Sequence, residues 1–231
     1  MIGRGEGLQV CVVGATGLVG QALIAEGRQW PRFRLTAVAR REVPLPPGAR
    51  LETVLAPVEE WDAALAGLAP AVVVCALGTT RAKAGGEDAF RAVDVDLVLA
   101  VARAAKAAGA GHFILVSSVG AAPGSRNVYL RAKGEVEAAV AKLGFRRLDV
   151  VRPGLLRGRR AERRPLEWIA QVLAPVLDLL LVGQGRRYRS IRGERLARAI
   201  LGLATEKAGG RFVHEHDGLL RAEQRLTGPR G

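Results

Sequence analysis

Along the chain, short continuous apolar runs alternate with stretches whose apolar residues recur at helical spacing. The runs Leu8–Val13, Arg34–Ala39, Leu51–Leu55, Ala71–Leu77, His112–Ser117 and Leu148–Val151 read as strands. Between them, Gly17–Glu26, Glu59–Leu68, Glu87–Ala108 and Tyr129–Leu143 read as helices, the first with Leu18, Ala22 and Leu23 on one face. Strands that are apolar throughout, rather than alternating, are buried on both faces, as in a parallel sheet covered by helices on each side. Repetition of the strand–helix unit predicts an α/β protein with a doubly wound parallel sheet, the Rossmann fold. The rhythm changes after Pro153 and Gly154. A basic loop, Arg157–Arg164, leads into a helix over Pro165–Val182 opened by its proline. A short strand at Tyr188–Ile191, a helix at Glu194–Thr205 and a last strand at Arg211–His214 follow, and the final dozen residues are expected to fray. This divides the chain into a core over 1–156 and a small C-terminal substrate cap and sheet-completing segment over 157–231, within one domain.

Composition agrees. Of 231 residues, 49% are hydrophobic and 25% charged, ordinary values for a globular protein that exclude a disordered or collagen-like chain. The longest apolar stretch, Val172–Val182, is broken by Pro175 and Asp178 and falls short of the ~18 residues of a membrane span. The N-terminus runs into a strand without a signal-peptide core, and two cysteines make no disulfide scaffold, so the cytoplasm is the expected compartment.

Charge adds a partner question. Thirty-five basic against 22 acidic residues give +13, with 30 arginines and five lysines. Residues 146–198 carry 14 arginines and five acids, hence nine of those 13 charges. Such a surface attracts a phosphorylated cofactor, an acidic substrate or nucleic acid. No helix-turn-helix, zinc-finger or RNP pattern supports nucleic acid. A solvated surface and an anionic small-molecule substrate stay open.

Chemistry begins at Gly14, Ala15, Thr16, Gly17, Leu18, Val19 and Gly20, between the first strand and the first helix. Glycines there let the backbone turn tightly and approach a pyrophosphate, while the helix N-terminus points N–H groups at it. The second strand ends in Ala39, Arg40 and Arg41 rather than in the acid that binds the ribose 2′-hydroxyl of NAD. Guanidinium forks suit a 2′-phosphate, so NADP(H) is the expected cofactor, one arginine making the main contact. Further on, Ser117 and Ser118 end the fifth strand, and Tyr129 and Lys133 stand one turn apart on the next helix. A tyrosine exchanges a proton with a carbonyl oxygen when its pKa, near 10 in water, is lowered, and a nearby ammonium lowers it. A serine hydroxyl positions the same oxygen.

Together with Leu77–Gly85, His112–Ser118, Tyr129–Glu137 and Arg152–Gly154, these motifs resemble a short-chain dehydrogenase/reductase, in the atypical branch related to the Tat-interacting-protein oxidoreductases. The resemblance covers about residues 8–205. It implies a catalytic set of Ser118, Tyr129 and Lys133, with Lys133 also holding the nicotinamide ribose. It further implies cofactor contacts from Leu77, Gly78 and Thr79, from Ser117 and Tyr129, and from Pro153, Gly154 and Leu155. Three departures stand out. Leu77, Gly78 and Thr79 replace the Asn-Ala-Gly of the main branch. The catalytic asparagine of the preceding helix has no match, with Asp94 near its place. Ala56 and Pro57 replace an acid after the third strand.

Other residues read as structural. Cys11 and Cys75 are expected as small buried hydrophobes at one level of the sheet. His112, His214 and His216 show no metal spacing. Trp61 and Trp168 are expected under loops, and Arg81 and Lys83 face either anions or solvent. Two functions follow: an NADP(H)-dependent oxidoreductase acting on a small carbonyl or alcohol, or an NADPH-binding sensor read by a protein partner. The Tyr–Lys pair favours the first.

Overall fold

The computed structural model describes residues 7–45, 51–79, 85–158, 178 and 181–228. The strands are β1 (Leu8–Val13), β2 (Phe33–Ala39), β3 (Glu52–Leu55), β4 (Val72–Cys75), β5 (His112–Val116), β6 (Arg147–Val151), β7 (Leu156–Arg157), β8 (Ile191–Arg192) and β9 (Gly210–His214). The helices are α1 (Leu18–Gly27), α2 (Trp61–Leu68), α3 (Glu87–Arg91), α4 (Val98–Ala107), α5 (Val128–Ala141), α6 (Gly193–Ala204) and α7 (His216–Thr227).

Seven strands form a parallel sheet in the order β3-β2-β1-β4-β5-β6-β9, and β7 pairs with β8 apart from it. The order reverses between β1 and β4, which opens a crevice at their C-terminal ends. Val10 and Val12 face one apolar layer, with Leu23, Ile24, Leu196, Ile200 and Leu219 of α1, α6 and α7. Cys11 and Val13 face the other, with Leu65, Val101 and Val136 of α2, α4 and α5. This two-sided burial is what the unbroken apolar strands predicted.

Several elements differ from expectation. The helix expected over Glu87–Ala108 is α3 and α4 joined by a π-helical turn, Ala92–Leu97. The strand expected at Tyr188–Ile191 is a 3-10 segment, Gly183–Tyr188, followed by β8. The final dozen residues do not fray as far as they are described. They continue α7, whose Leu219, Ala222 and Leu226 are buried against the core. The register sets Cys75 opposite Val13 and Cys11 opposite Val73, so the two thiols lie two residues apart along the sheet, not at one level. Burial pushes the Cys11 thiol up to about 12 and the Cys75 thiol up to about 11, the state of inert core cysteines. Trp61 is buried and donates from Nε1 to Ala56 O at 3.1 Å. The expected helix at Pro165–Val182 lies outside the described residues except for Asp178, Leu181 and Val182. Trp168, Arg81 and Lys83 also lie outside them.

One polar cluster sits within the α6/α7 layer. Asp149 is fully buried and meets His112 Nε2 and His214 Nε2, each at 2.6 Å. It also accepts from Arg147 Nε at 2.6 Å. Burial raises the Asp149 pKa, but these three partners outweigh it and hold the carboxyl well below the usual carboxylate range. Strands β5, β6 and β9 are thereby joined through one carboxylate. Among the described residues no group of three or more His, Cys, Asp or Glu is arranged to hold a metal ion.

Candidate active site

The turn after β1 is built for a close ligand. Gly14 adopts φ +93°, and a Cβ there would lie 2.6 Å from the Ala76 carbonyl, so the residue serves both the left-handed turn and the approach to β4. A Cβ on Gly20 would lie 2.4 Å from Gly14 O, which sets how closely α1 packs under the loop. Gly17 is the N-cap of α1; it makes no side-chain cap bond, and the first turn holds no acid. The first-turn amides therefore face the crevice without a side-chain acceptor, a setting that suits a pyrophosphate. Arg40 and Arg41 follow β2 directly, are exposed, and have no carboxylate partner among the described residues. These residues fit an adenine dinucleotide across the C-terminal edge of the sheet.

Beside that edge stand the serines and the Tyr–Lys pair. Asn127 caps α5, its Oδ1 accepting from Leu130 N at 3.2 Å, which sets Tyr129 in the first turn and Lys133 one turn on. The loop after β5 is held against this helix. Ala122 N donates to Leu130 O at 3.1 Å, and a Cβ on Gly134 would lie 2.3 Å from the Ala122 carbonyl carbon. The loops after β5 and β6 are tied as well, Val119 N donating to Pro153 O at 3.0 Å. Ser118 is half-buried, and among the described residues its Oγ meets only Val119 O, at a long 3.4 Å. Tyr129 is 37% exposed, with its ring 5.9 Å from that of Phe90.

Ser117 behaves differently from its neighbour. It is buried and donates to Glu137, which also receives the fork of Arg152. Its hydroxyl therefore serves the floor of the site. Gly78 lies beside Lys133, and Pro153 borders the loop after β5, while Gly154 and Leu155 meet the Tyr188–Ile191 segment, Leu155 being 45% exposed.

Lys133 is 5% exposed, and its ammonium lies 2.8 Å from Asp94 Oδ1 and 5.9 Å from the Tyr129 ring centre. Burial would lower its pKa, but the Asp94 carboxylate and then Tyr129 raise it, and the net direction is upward. The other Asp94 oxygen accepts from Thr79 N at 2.7 Å. One fully buried carboxylate thus fixes both the loop after β4 and the lysine. Asp94 lies on the π-helical turn, an irregularity common at functional sites. Sequence reasoning gave it no role beyond its nearness to a missing asparagine. Glu137 was also missed, although it falls four residues beyond Lys133 and eight beyond Tyr129, a spacing that puts all three on one helical face.

The sheet order, the crevice and the glycine turn define a dinucleotide-binding protein of the Rossmann class. A family model described as NAD(P)H-binding matches residues 14–166, and the chain belongs to that family, in the branch of the Tat-interacting-protein relatives. It is 44% identical over 168 residues to protein HTATIP2 of Rattus norvegicus, covering 70% of this chain and 68% of that protein. It is 38% identical over 175 residues to protein fmp52 of Emericella nidulans, covering 73% and 75% respectively. Among solved structures, MoeE5 in complex with UDP-glucose and NAD superposes with a TM-score of 0.66 at 20% identity, covering 95% of this chain and 82% of that one; this shows a shared fold. The cytoplasmic expectation does not stand. The fmp52 proteins of Emericella nidulans, Saccharomyces cerevisiae and Aspergillus clavatus are named as mitochondrial, and a missing signal-peptide core does not exclude an organelle.

Proposed function

We propose that this protein is an NADP(H)-dependent oxidoreductase that interconverts a small carbonyl compound and its alcohol. What supports the reading is that Tyr129 and the buried Lys133 stand one turn apart on α5, against whose first turn the loop carrying Ser118 is held by Ala122 N and Leu130 O. NADPH, when bound, supplies the hydride to the carbonyl carbon. Ser118 Oγ donates a hydrogen bond to the carbonyl oxygen and orients it. Tyr129 Oη gives that oxygen its proton and recovers one from solvent, to which it is partly open. The Lys133 ammonium favours the phenolate left behind and reaches the ribose. Arg40 and Arg41 pair with the 2′-phosphate.

The second reading, a cofactor sensor, draws on Asp94: its carboxylate offsets the very ammonium that would activate the phenol. One experiment separates the two and tests the cofactor. Nucleotide binding is followed by fluorescence, and turnover at 340 nm with a panel of aldehydes and ketones. Tyr129→Phe is expected to bind NADPH like the parent and to lose at least 100-fold in turnover. Arg40→Ser/Arg41→Ser is expected to lose tenfold or more in NADPH affinity while leaving NADH affinity unchanged. Undiminished turnover in Tyr129→Phe refutes the acid–base role. Tighter binding of NADH than NADPH by the parent refutes the arginine assignment.

A further inference from the structure

We infer that the cavity between the 3-10 segment Gly183–Tyr188 and the β9–α7 corner is a subsite for an oxyanion, a carboxylate or phosphate monoester, carried by the substrate. Its link to catalysis rests on the oxidoreductase reading; the anion preference rests on the cavity alone. The cavity has a volume of about 550 Å³, within the range of small-molecule sites. It lies where β9 ends and α7 begins, on the same C-terminal edge of the sheet as Ser118 and Tyr129. Tyr188 Oη comes to 4.0 Å from a Cβ built on Gly120, two residues past Ser118, while Arg186 and Arg187 of the same segment line the cavity.

The wall carries three arginines, Arg186, Arg187 and Arg221, and two acids, Glu215 and Asp217. Glu215 reaches Arg152, at 4.0 Å, and Asp217 reaches Arg186, at 3.4 Å. Among the described residues neither Arg187 nor Arg221 has a carboxylate partner; the Arg187 guanidinium lies 5.0 Å over the Tyr188 ring. The 12-residue helix α7 opens here with Glu215 as an extended N-cap that makes no side-chain cap bond, and with Asp217, which faces Arg186, in its first turn. His216 also lines the cavity, at 9% exposure, and its buried Nδ1 has no hydrogen-bond partner among the described residues. Buried polar atoms of this kind are normally paired. Burial holds this imidazole below its ordinary pKa, so near neutrality it adds no charge to the wall. The two guanidiniums without carboxylate partners, beside the first-turn amides of α7, form a donor set complementary to a carboxylate or phosphate.

The test uses the full chain, with inorganic phosphate and acetate as probes. Each is titrated calorimetrically at constant ionic strength into the parent, Arg187→Gln, Arg221→Gln and the double variant. Both arginines are on the surface, so folding is unaffected, as NADPH binding measured in parallel will report. Phosphate or acetate is expected to bind the parent and to lose about tenfold with each substitution. Which probe binds tells a phosphate monoester from a carboxylate. Equal binding by the parent and the double variant, as for phosphate held at the glycine turn, overturns the proposal, and so does absence of binding by both probes. A parent that binds the probe but not NADPH removes the oxidoreductase reading and leaves the anion subsite standing.

Discussion

Asp94→Leu removes the carboxylate that Lys133 meets at 2.8 Å, with Asp94 fully buried and Lys133 5% exposed. Breaking a buried ion pair from one side costs about 3–5 kcal/mol, because the remaining charge has no countercharge. The Thr79 N–H loses its 2.7 Å acceptor as well, which adds about 1 kcal/mol. The expected loss of about 4–6 kcal/mol corresponds to a fall in Tm of about 8–24 °C for a chain of this size. Lys133→Met leaves Asp94 as the uncompensated charge and is expected to cost a similar amount. Asp94→Leu/Lys133→Met leaves neither charge, so it should lose far less than the two single losses together, a coupling of about 2 kcal/mol or more. Thermal and urea melts followed by circular dichroism measure all four proteins. The sign of the pH dependence follows from the raised Lys133 pKa. Its contribution is complete below the ordinary value of 10.5 and is lost as pH rises through the higher folded value. The parent should weaken above that pH, whereas the double variant should lack this term. An Asp94→Leu protein melting within about 2 °C of the parent, or strict additivity in the double variant, would refute the pairing as the element that organises the site.

Two further outcomes follow from the same kind of geometry. Asp149→Asn keeps the shape of the cluster but leaves Arg147 and the two histidines without a buried anion, so stability at neutral pH should fall by about 3–5 kcal/mol. Since the Asp149 pKa is depressed, its contribution is present above the ordinary 3.8 and lost as pH falls below it; acid melts should show this limb in the parent and a flatter one in the variant. Gly20→Ala places a methyl 2.4 Å from Gly14 O and should weaken NADPH binding at least tenfold by fluorescence titration, whereas Gly67→Ala, with no atom within 4 Å of the new methyl, should bind as the parent does.

What the sequence made legible follows a physical divide. Periodicity reports burial, and burial alone distinguishes a two-sided parallel sheet, so Val10–Val13 and Val72–Cys75 were readable as core strands without any partner being known. Gly14 and Gly20 were readable because the backbone itself requires them, and the Tyr129–Lys133 pair because one helical turn brings i and i+4 together. The C-terminal segment was harder. Its α7 carries apolar residues at Leu219, Ala222 and Leu226, three and four apart, but polar residues between them and the nearness of the chain end made it look loose. Its order comes from packing on α6, with a Cβ at Gly202 only 2.2 Å from Ala222 O.

Pairings between elements were not legible, because they depend on where the fold carries side chains far apart in the chain. Asp94 and Lys133 are 39 positions apart, and nothing local distinguishes Asp94 from the exposed Asp96 two residues on. The π-helical turn makes the difference: one wider turn shifts the phase of the helix and directs Asp94 inward to Lys133 and Thr79 N. The same holds for Ser117. Adjacent serines are equivalent in sequence, yet just past the end of β5 Ser117 donates to Glu137, which also holds Arg152, while Ser118 Oγ meets only Val119 O among the described residues. Arg152 then continues from Glu137 toward Glu215 at the mouth of the basic cavity. A single guanidinium thus spans the floor under the serines and the wall of the proposed anion subsite, so substitutions at Arg152 should disturb both at once, whereas Arg187 and Arg221 can be removed without touching the floor.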